Sequence, residues 1–150
     1  MAGCYSITIE KRIPVGAGLG GGSSDAAVIL RYLNRTSPTP LADRRLAEAA
    51  LSLGADVPVC LAGIAQRMQG IGDMLTPVDP VPRGHLVLAR ADAMLPTAEV
   101  FKSLRESGSG DAAPLRSSEI SGSVADIVAA GNDLQAAAMS LCPDIASVLD

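Results

Sequence analysis

The chain has 150 residues, of which 48% are hydrophobic and 2% aromatic, and its formal net charge is −4. This hydrophobic content is sufficient for a folded core and excludes a wholly disordered chain, while an acidic balance without a basic run argues against a nucleic-acid-binding surface. No run of 18 apolar residues occurs, so we expect a cytoplasmic protein with no membrane partner. Three cysteines and one histidine lack metal-ligand spacing.

The first predicted elements flank a glycine-rich segment. Apolar and polar residues alternate from Tyr5 to Glu10, which is typical of a half-buried strand. A helix is predicted after the glycines, because Ser23 or Ser24 can act as its N-cap and Asp25 would favour its first turn.

A second helix is predicted from Thr39, as N-cap, to a stop at Gly54. Asp56 then stands where it can cap a short helical turn. Strand-like stretches at 64–68 and 74–78 flank a Gly-Ile-Gly sequence, which predicts two strands joined by a turn.

The second half of the chain follows a proline-rich stretch at 77–82, which indicates a passage between domains. There the sequence predicts a strand at 85–89, a helix capped by Thr97, a loop at 107–123 rich in Ser and Gly, and final helices at 132–140 and 144–149.

Residues 14–24 read PVGAGLGGGSS and form the most informative segment of the sequence. Glycine allows positive φ and close approach of the backbone to a ligand, and the following helix directs its positive end to the same place. The segment therefore predicts a phosphate-binding loop. Its candidate ligand-binding residues are Pro14, Val15, Gly16, Ala17, Gly18, Leu19, Gly20, Gly21, Gly22, Ser23 and Ser24.

Other kinds of glycine-rich loop fit less well. A Walker A loop requires a lysine after its last glycine, and Ser23 follows Gly22 here. Gly16, Gly18 and Gly21 satisfy the dinucleotide-binding spacing, but the acidic residue expected about 20 positions later is absent. A surface turn without a ligand remains the simplest alternative.

The string KRIPVGAGLGGGSSDAA, from Lys11 to Ala27, resembles the phosphate-binding motif of the GHMP kinases. Three further segments fit the same resemblance in the same order, namely GADVP at 54–58, GIGD at 70–73 and NDL at 132–134. Asp73 stands where the family usually has Glu. The resemblance covers nearly all of this chain, whereas such kinases are about twice as long.

The resemblance implies an α+β protein with the GHMP kinase fold. Residues 1–82 would be the back half of the N-terminal domain, which resembles ribosomal protein S5 domain 2. Residues 83–150 would be the front half of a ferredoxin-like C-terminal domain. Because the family's lysine-bearing N-terminal region has no counterpart here, we expect residues 1–150 alone to be inactive.

The implied activity is phosphorylation of a small-molecule alcohol by ATP with Mg²⁺. The family's catalytic aspartate falls on Asp56, where it would orient the attacking hydroxyl, and helix capping is the alternative role. The Ser24 hydroxyl is the candidate Mg²⁺ ligand, again with capping as the alternative. Lys11 and Asp25 could contact phosphate or Mg²⁺, but solvated and helix-end roles explain them more simply.

Within the family, the tripled glycine most resembles members that act on a methylerythritol linked to cytidine diphosphate. Members that act on homoserine or mevalonate are a near alternative. A nucleotide-binding fragment without catalysis is an alternative of a different class.

Overall fold

A computed structural model describes residues 4–12, 18–79, 84–91, 93–108 and 123–149. Over these ranges the chain is mainly helical, with one short hairpin. In chain order the elements are α1 (Gly21–Thr36), α2 (Asp43–Leu53), α3 (Val57–Ala62), β1 (Gln66–Gln69), β2 (Met74–Pro77), α4 (Thr97–Glu106), α5 (Val124–Ala130), α6 (Gln135–Leu141) and α7 (Asp144–Leu149).

The main core lies where α1, α2 and α3 pack against one another. Each helix contributes one residue to the buried hydrophobic cluster, namely Ala27, Ala50 and Val57. Two of these are alanines, so the helices approach closely, and burial of the surrounding apolar side chains provides the stabilisation. The partly buried residues around the cluster are Ala26, Leu30, Cys60 and Leu61.

The segment 4–12 is extended and lies along α1. Near its start, the Tyr5 and Tyr32 rings meet edge to face at 6.0 Å, and the Tyr5 hydroxyl lies 3.3 Å from Thr36 Oγ1. Near its end, Lys11 forms an ion pair with Asp25. The segment therefore runs antiparallel to the helix. The strand predicted here is wrong, because within the described ranges no neighbouring strand pairs with it.

The hairpin confirms the two strands predicted around the Gly-Ile-Gly sequence, with slightly different bounds. Strands β1 and β2 are antiparallel, and their register pairs Gln66 with Pro77 and Gln69 with Met74. The connecting turn uses positive φ at Gly70 (65°) and Gly72 (94°). Such angles are costly for other residues, so both glycines suit the turn.

Helix α2 begins three residues later than predicted. Its N-cap is Ala42, whereas the sequence indicated Thr39. The Asn34 side chain explains the difference, because its Oδ1 accepts the Leu41 N–H at 2.6 Å and its Nδ2 donates to the Leu41 carbonyl at 3.3 Å. Those bonds hold the backbone in a loop before α2. The predicted stop at Gly54 is confirmed.

The described part of the second half is helical. Helix α4 packs against α6, which packs against α7, and Val100, Ala137 and Cys142 are buried there. The strand predicted at 85–89 is wrong: within the described residues this stretch has no assigned strand pairing, and Val87 is 95% exposed. Helix α7 confirms its prediction. Helix α4 is present as predicted, but its N-cap is Pro96 and Thr97 is its first helical residue, so the predicted Thr97 cap is wrong.

Two differences concern the helices nearer the end. Helix α6 begins at Gln135 and not at 132, because the Asn132 side chain accepts the Leu134 N–H at 3.0 Å and makes a turn before it. Helix α5 was not predicted. Most of the predicted 107–123 loop lies outside the described residues.

Helices together with a small sheet are consistent with the α+β class. The division at residue 82 and the two half-domains stay predictions. Among the described helices, none combines the length and the apolar character needed to cross a bilayer.

Candidate functional site

The glycine-rich loop is described from Gly18 onward, while Pro14, Val15, Gly16 and Ala17 lie outside the described residues. Gly18 and Gly20 adopt positive φ, 71° and 66° respectively. Gly20 is also the N-cap of α1, and its left-handed conformation turns the chain directly into the helix. These angles explain why the two positions are glycine.

The predicted serine caps are wrong. Helix α1 begins at Gly21 and has no side-chain cap, so Ser23 and Ser24 lie inside its first turn. The Ser24 N–H donates to the Gly20 carbonyl at 2.9 Å. The N–H groups of Gly21, Gly22 and Ser23 precede this bond and have no acceptor within the helix. They point out of its N-terminus, where the helix dipole favours an anion.

The loop glycines are uncrowded at their Cβ positions. A Cβ added at Gly18, Gly20, Gly21 or Gly22 would meet no non-neighbouring heavy atom within 4 Å. Gly21 and Gly22 lie in the helix, where alanine would be more favourable by about 1 kcal/mol. Neither crowding nor backbone angle explains these two glycines.

Lys11 reaches the first two turns of α1 through its ion pair with Asp25. Both side chains are about two-fifths exposed, so the pair contributes little to stability. It nevertheless places a cation beside the N-terminal half of α1. Arg12 instead pairs with Glu10 at 3.1 Å, and both are well exposed, as expected for solvated charges.

Helices α1 and α3 lie side by side with their N-termini at the same end. Ala27 and Val57 belong to one buried cluster. One turn further along each helix, the Arg31 guanidinium donates to the carbonyl of Leu61 and, at 3.4 Å, to that of Cys60. The residues of α1 and α3 that contact each other therefore follow the same chain direction along both helices. This parallel arrangement brings the glycine loop and the start of α3 to one end of the helix pair.

Asp56 lies at that end, immediately before α3. It occupies the N-cap position but makes no side-chain capping bond, and its side chain is exposed. Its backbone angles, φ −86° and ψ −8°, are those of the third residue of a type I turn. The Val57 N–H closes this turn on the Gly54 carbonyl at 3.1 Å. The carboxylate is thus presented to solvent on a backbone held by the buried Val57.

The Gly70–Asp73 turn adjoins the same segment. Gly72 is buried, and its Cα faces the backbone of Ala55. Asp73 is exposed, and its Oδ1 accepts the Ile71 N–H at 3.0 Å. Asp73 therefore stabilises its own turn.

Other candidate groups do not assemble into a site. Within the described ranges no three His, Cys, Asp or Glu side chains are placed to hold a metal ion. His85 is exposed, and Cys4, Cys60 and Cys142 are free thiols.

A largely apolar cavity of about 290 Å³ adjoins the loop at Gly18. Its other walls include Ala89, Arg90, Leu95 and Ile145. The cavity gives the loop an apolar neighbour on the side of the C-terminal helices.

Comparison with known proteins identifies the class. Residues 2–64 match the family model described as GHMP kinases N terminal domain. This range contains the loop, α1, α2 and all of α3. Residues 2–64 thus match this kinase domain family, and the resemblance noted in the sequence is confirmed.

The chain is also similar to curated proteins named 4-diphosphocytidyl-2-C-methyl-D-erythritol kinase. It is 43% identical to the one from Gluconacetobacter diazotrophicus over 95% of this chain and 48% of that protein. For Cereibacter sphaeroides the identity is 44%, over 93% and 50% respectively. For Rhodospirillum rubrum it is 47%, over 77% and 38%. The chain spans about half the length, or less, of these relatives.

Sequence reasoning missed three contacts that shape the site: the Lys11–Asp25 pair, the bonds from Arg31 to α3, and the approach of Gly72 to Ala55. Each joins residues at least 14 positions apart. Periodicity carries no information about such pairs. The only available signal was the paired occurrence of GADVP and GIGD in the family pattern.

Proposed function

We propose that the chain carries the phosphate-binding and hydroxyl-orienting parts of an ATP-dependent kinase. The substrate proposed is 4-diphosphocytidyl-2-C-methyl-D-erythritol, and the group phosphorylated is its 2-hydroxyl, a step of isoprenoid biosynthesis. The names of the relatives support this substrate. The observation that carries the proposal is the parallel packing of α1 and α3, because it supports a phosphate loop and a carboxylate acting at one site.

The loop would hold the triphosphate of ATP. Open N–H groups at Gly21, Gly22 and Ser23 are suited to phosphate oxygens, since hydrogen bonds to a charged acceptor are stronger than neutral ones. The glycines leave room for the phosphates to approach. Lys11 adds positive charge nearby. The apolar cavity beside Gly18 offers a place for the nucleoside end of the nucleotide.

Asp56 would orient the substrate hydroxyl. Transfer of a phosphoryl group is largely positioning and charge stabilisation, so the carboxylate need only accept the hydroxyl proton as the new bond forms. The exposure of Asp56 and the absence of a capping bond support this role. Helix capping, the alternative role, gains no support.

Mg²⁺ bound with ATP would neutralise phosphate charge. Ser24 fits as a protein ligand, since it is exposed and lies in the first turn of α1 beside the open N–H groups. Asp25 fits less well because Lys11 already occupies its carboxylate. A single hydroxyl is a reasonable contribution, since Mg²⁺ in kinases takes most of its ligands from phosphate and water.

The test uses the product of the complete reading frame that encodes this chain. We expect Asp56→Asn to lower kcat at least about 100-fold, because it removes the proton acceptor while keeping the shape. ATP affinity, measured by calorimetry, should be unchanged. Asp73→Asn is the matched control, since Asp73 is also an exposed turn aspartate, and it should retain activity.

Four outcomes would contradict the proposal. Unchanged turnover in Asp56→Asn would remove the residue from the chemistry. A large loss of ATP affinity would make it a structural or binding residue. Nucleotide binding by the wild type without phosphorylation of any substrate would favour a non-catalytic binding protein, and activity on homoserine or mevalonate would replace the proposed substrate.

A further inference from the structure

We propose that Gly72 is a positioning residue for Asp56, because its contact with Ala55 fixes the peptide group from which Asp56 extends. The inference rests on the proposed kinase function for its effect on catalysis. The contact itself is a property of the fold.

Gly72 differs from the other residues of its turn. It is buried, whereas Gly70, Ile71 and Asp73 are exposed. A Cβ at Gly72 would lie 3.1 Å from the Ala55 Cα, 2.9 Å from its carbonyl carbon and closer still to its carbonyl oxygen. All three are backbone atoms, which cannot rotate away as a side chain can. Only glycine permits this approach.

The Ala55 carbonyl belongs to the same planar peptide group as the Asp56 nitrogen. A displaced oxygen therefore rotates that plane and changes the direction of the Asp56 side chain. On the other side, Val57 is 2% exposed and fixed in the core. Gly72 and Val57 together hold the short turn that carries the carboxylate.

This arrangement explains why an exposed aspartate can be well positioned. Asp56 has no side-chain capping bond to orient it, so its placement depends on its backbone. Displacement of a reacting group by about 1 Å can reduce turnover about 100-fold. The phosphates would bind at α1, away from the Gly72 contact, so nucleotide affinity should be insensitive to it.

The experiment compares Gly72→Ala with Gly70→Ala in the product of the complete reading frame. Both positions have positive φ, so both variants carry backbone strain. At Gly70, however, the nearest atom to an added Cβ is the Asp73 Oδ1, so this variant would disturb the bond from the Ile71 N–H within the turn but would not meet the Ala55 backbone. We expect Gly72→Ala to lower kcat about 100-fold with an unchanged KM for ATP, and Gly70→Ala to stay near the wild type.

A second readout does not depend on catalysis. The amide resonances of Ala55, Asp56 and Val57 in ¹H–¹⁵N spectra should shift in Gly72→Ala and stay in place in Gly70→Ala. In the unsubstituted protein, a nuclear Overhauser effect is expected between the Gly72 and Ala55 α-protons. This measurement remains available if Gly72→Ala fails to fold.

Equal loss of kcat in both variants would overturn the proposal, since backbone strain in the turn would then be sufficient to explain the loss without the contact to Ala55. Unmoved amide resonances in Gly72→Ala, or no Overhauser effect in the wild type, would also overturn it. If the resonances move but Asp56→Asn remains fully active, the positioning contact stands and the proposed role of Asp56 fails.

Discussion

Replacement of Gly22 by alanine should separate folding from nucleotide binding. Gly22 lies in the first turn of α1 without positive φ, and an added Cβ would meet no non-neighbouring heavy atom within 4 Å. Alanine is favoured over glycine in helices by up to about 1 kcal/mol, partly because it restricts the unfolded chain. We therefore expect the free energy of unfolding of Gly22→Ala to be unchanged or raised by as much as about 1 kcal/mol.

Nucleotide binding should respond in the opposite direction. Side chains in a helix tilt towards its N-terminus, so the new methyl group would enter the space in front of the Gly21–Ser23 N–H groups. A hydrogen bond to a charged group contributes about 1.5–3 kcal/mol. Loss of one such bond weakens ATP binding at least about tenfold.

Both quantities can be measured on the product of the complete reading frame, by denaturant unfolding and by calorimetric titration with Mg-ATP. Gly63→Ala is the matched control. Gly63 ends α3 with φ 68°, so its replacement should cost about 1–2 kcal/mol of stability without changing ATP affinity. Wild-type ATP affinity in Gly22→Ala would refute the assignment of phosphate to this loop. A loss of stability larger than about 1 kcal/mol would show that the glycine is required by the fold.

Two further predictions concern the helices that support the site. Ala50→Leu should lower the free energy of unfolding by about 1–3 kcal/mol in denaturant unfolding, because Ala50 is 0% exposed between the packed helices. Its control is Ala47→Leu, at an exposed position of α2, which should change stability little. Equal effects of the two substitutions would contradict the assigned core. Arg31→Met should lower the free energy of unfolding by about 1 kcal/mol in the same assay, because it removes the hydrogen bonds to the last carbonyls of α3. Its control is Arg45→Met, which replaces an exposed arginine of α2. Wild-type stability in Arg31→Met would show that these hydrogen bonds contribute nothing.

Local patterns predicted the helices well where the local signals agreed. The glycine at position 54 located the end of α2 correctly. Its beginning was wrong because Thr39 and Pro40 form a favourable local start signal, but the Asn34 side chain binds the Leu41 backbone from the preceding helix. A side chain seven residues away thus determined where the helix could start.

The two predicted strands that are absent failed for a different reason. The alternation at Tyr5–Glu10 correctly indicated an extended chain, but a strand also needs a hydrogen-bonded partner. In the described residues this segment contacts α1 through Tyr5 and Lys11. The hairpin was predicted successfully because its partners adjoin each other in sequence, so its turn glycines identify the pairing.

The glycine loop was recognised from composition, yet its donors could not be assigned until the start of α1 was known. Ser23 and Ser24 are favourable N-caps, and capping would have used their hydroxyls on the helix backbone. Gly20 adopts φ 66° and takes the N-cap position, so the helix begins at Gly21, earlier than a cap at Ser23 or Ser24 would give. The two serines therefore fall within its first turn. The backbone N–H groups then face the open end, and the exposed Ser24 hydroxyl is not needed as a cap. The ion pair with Lys11 occupies the Asp25 carboxylate at the same end, which leaves Ser24 as the better candidate for Mg²⁺.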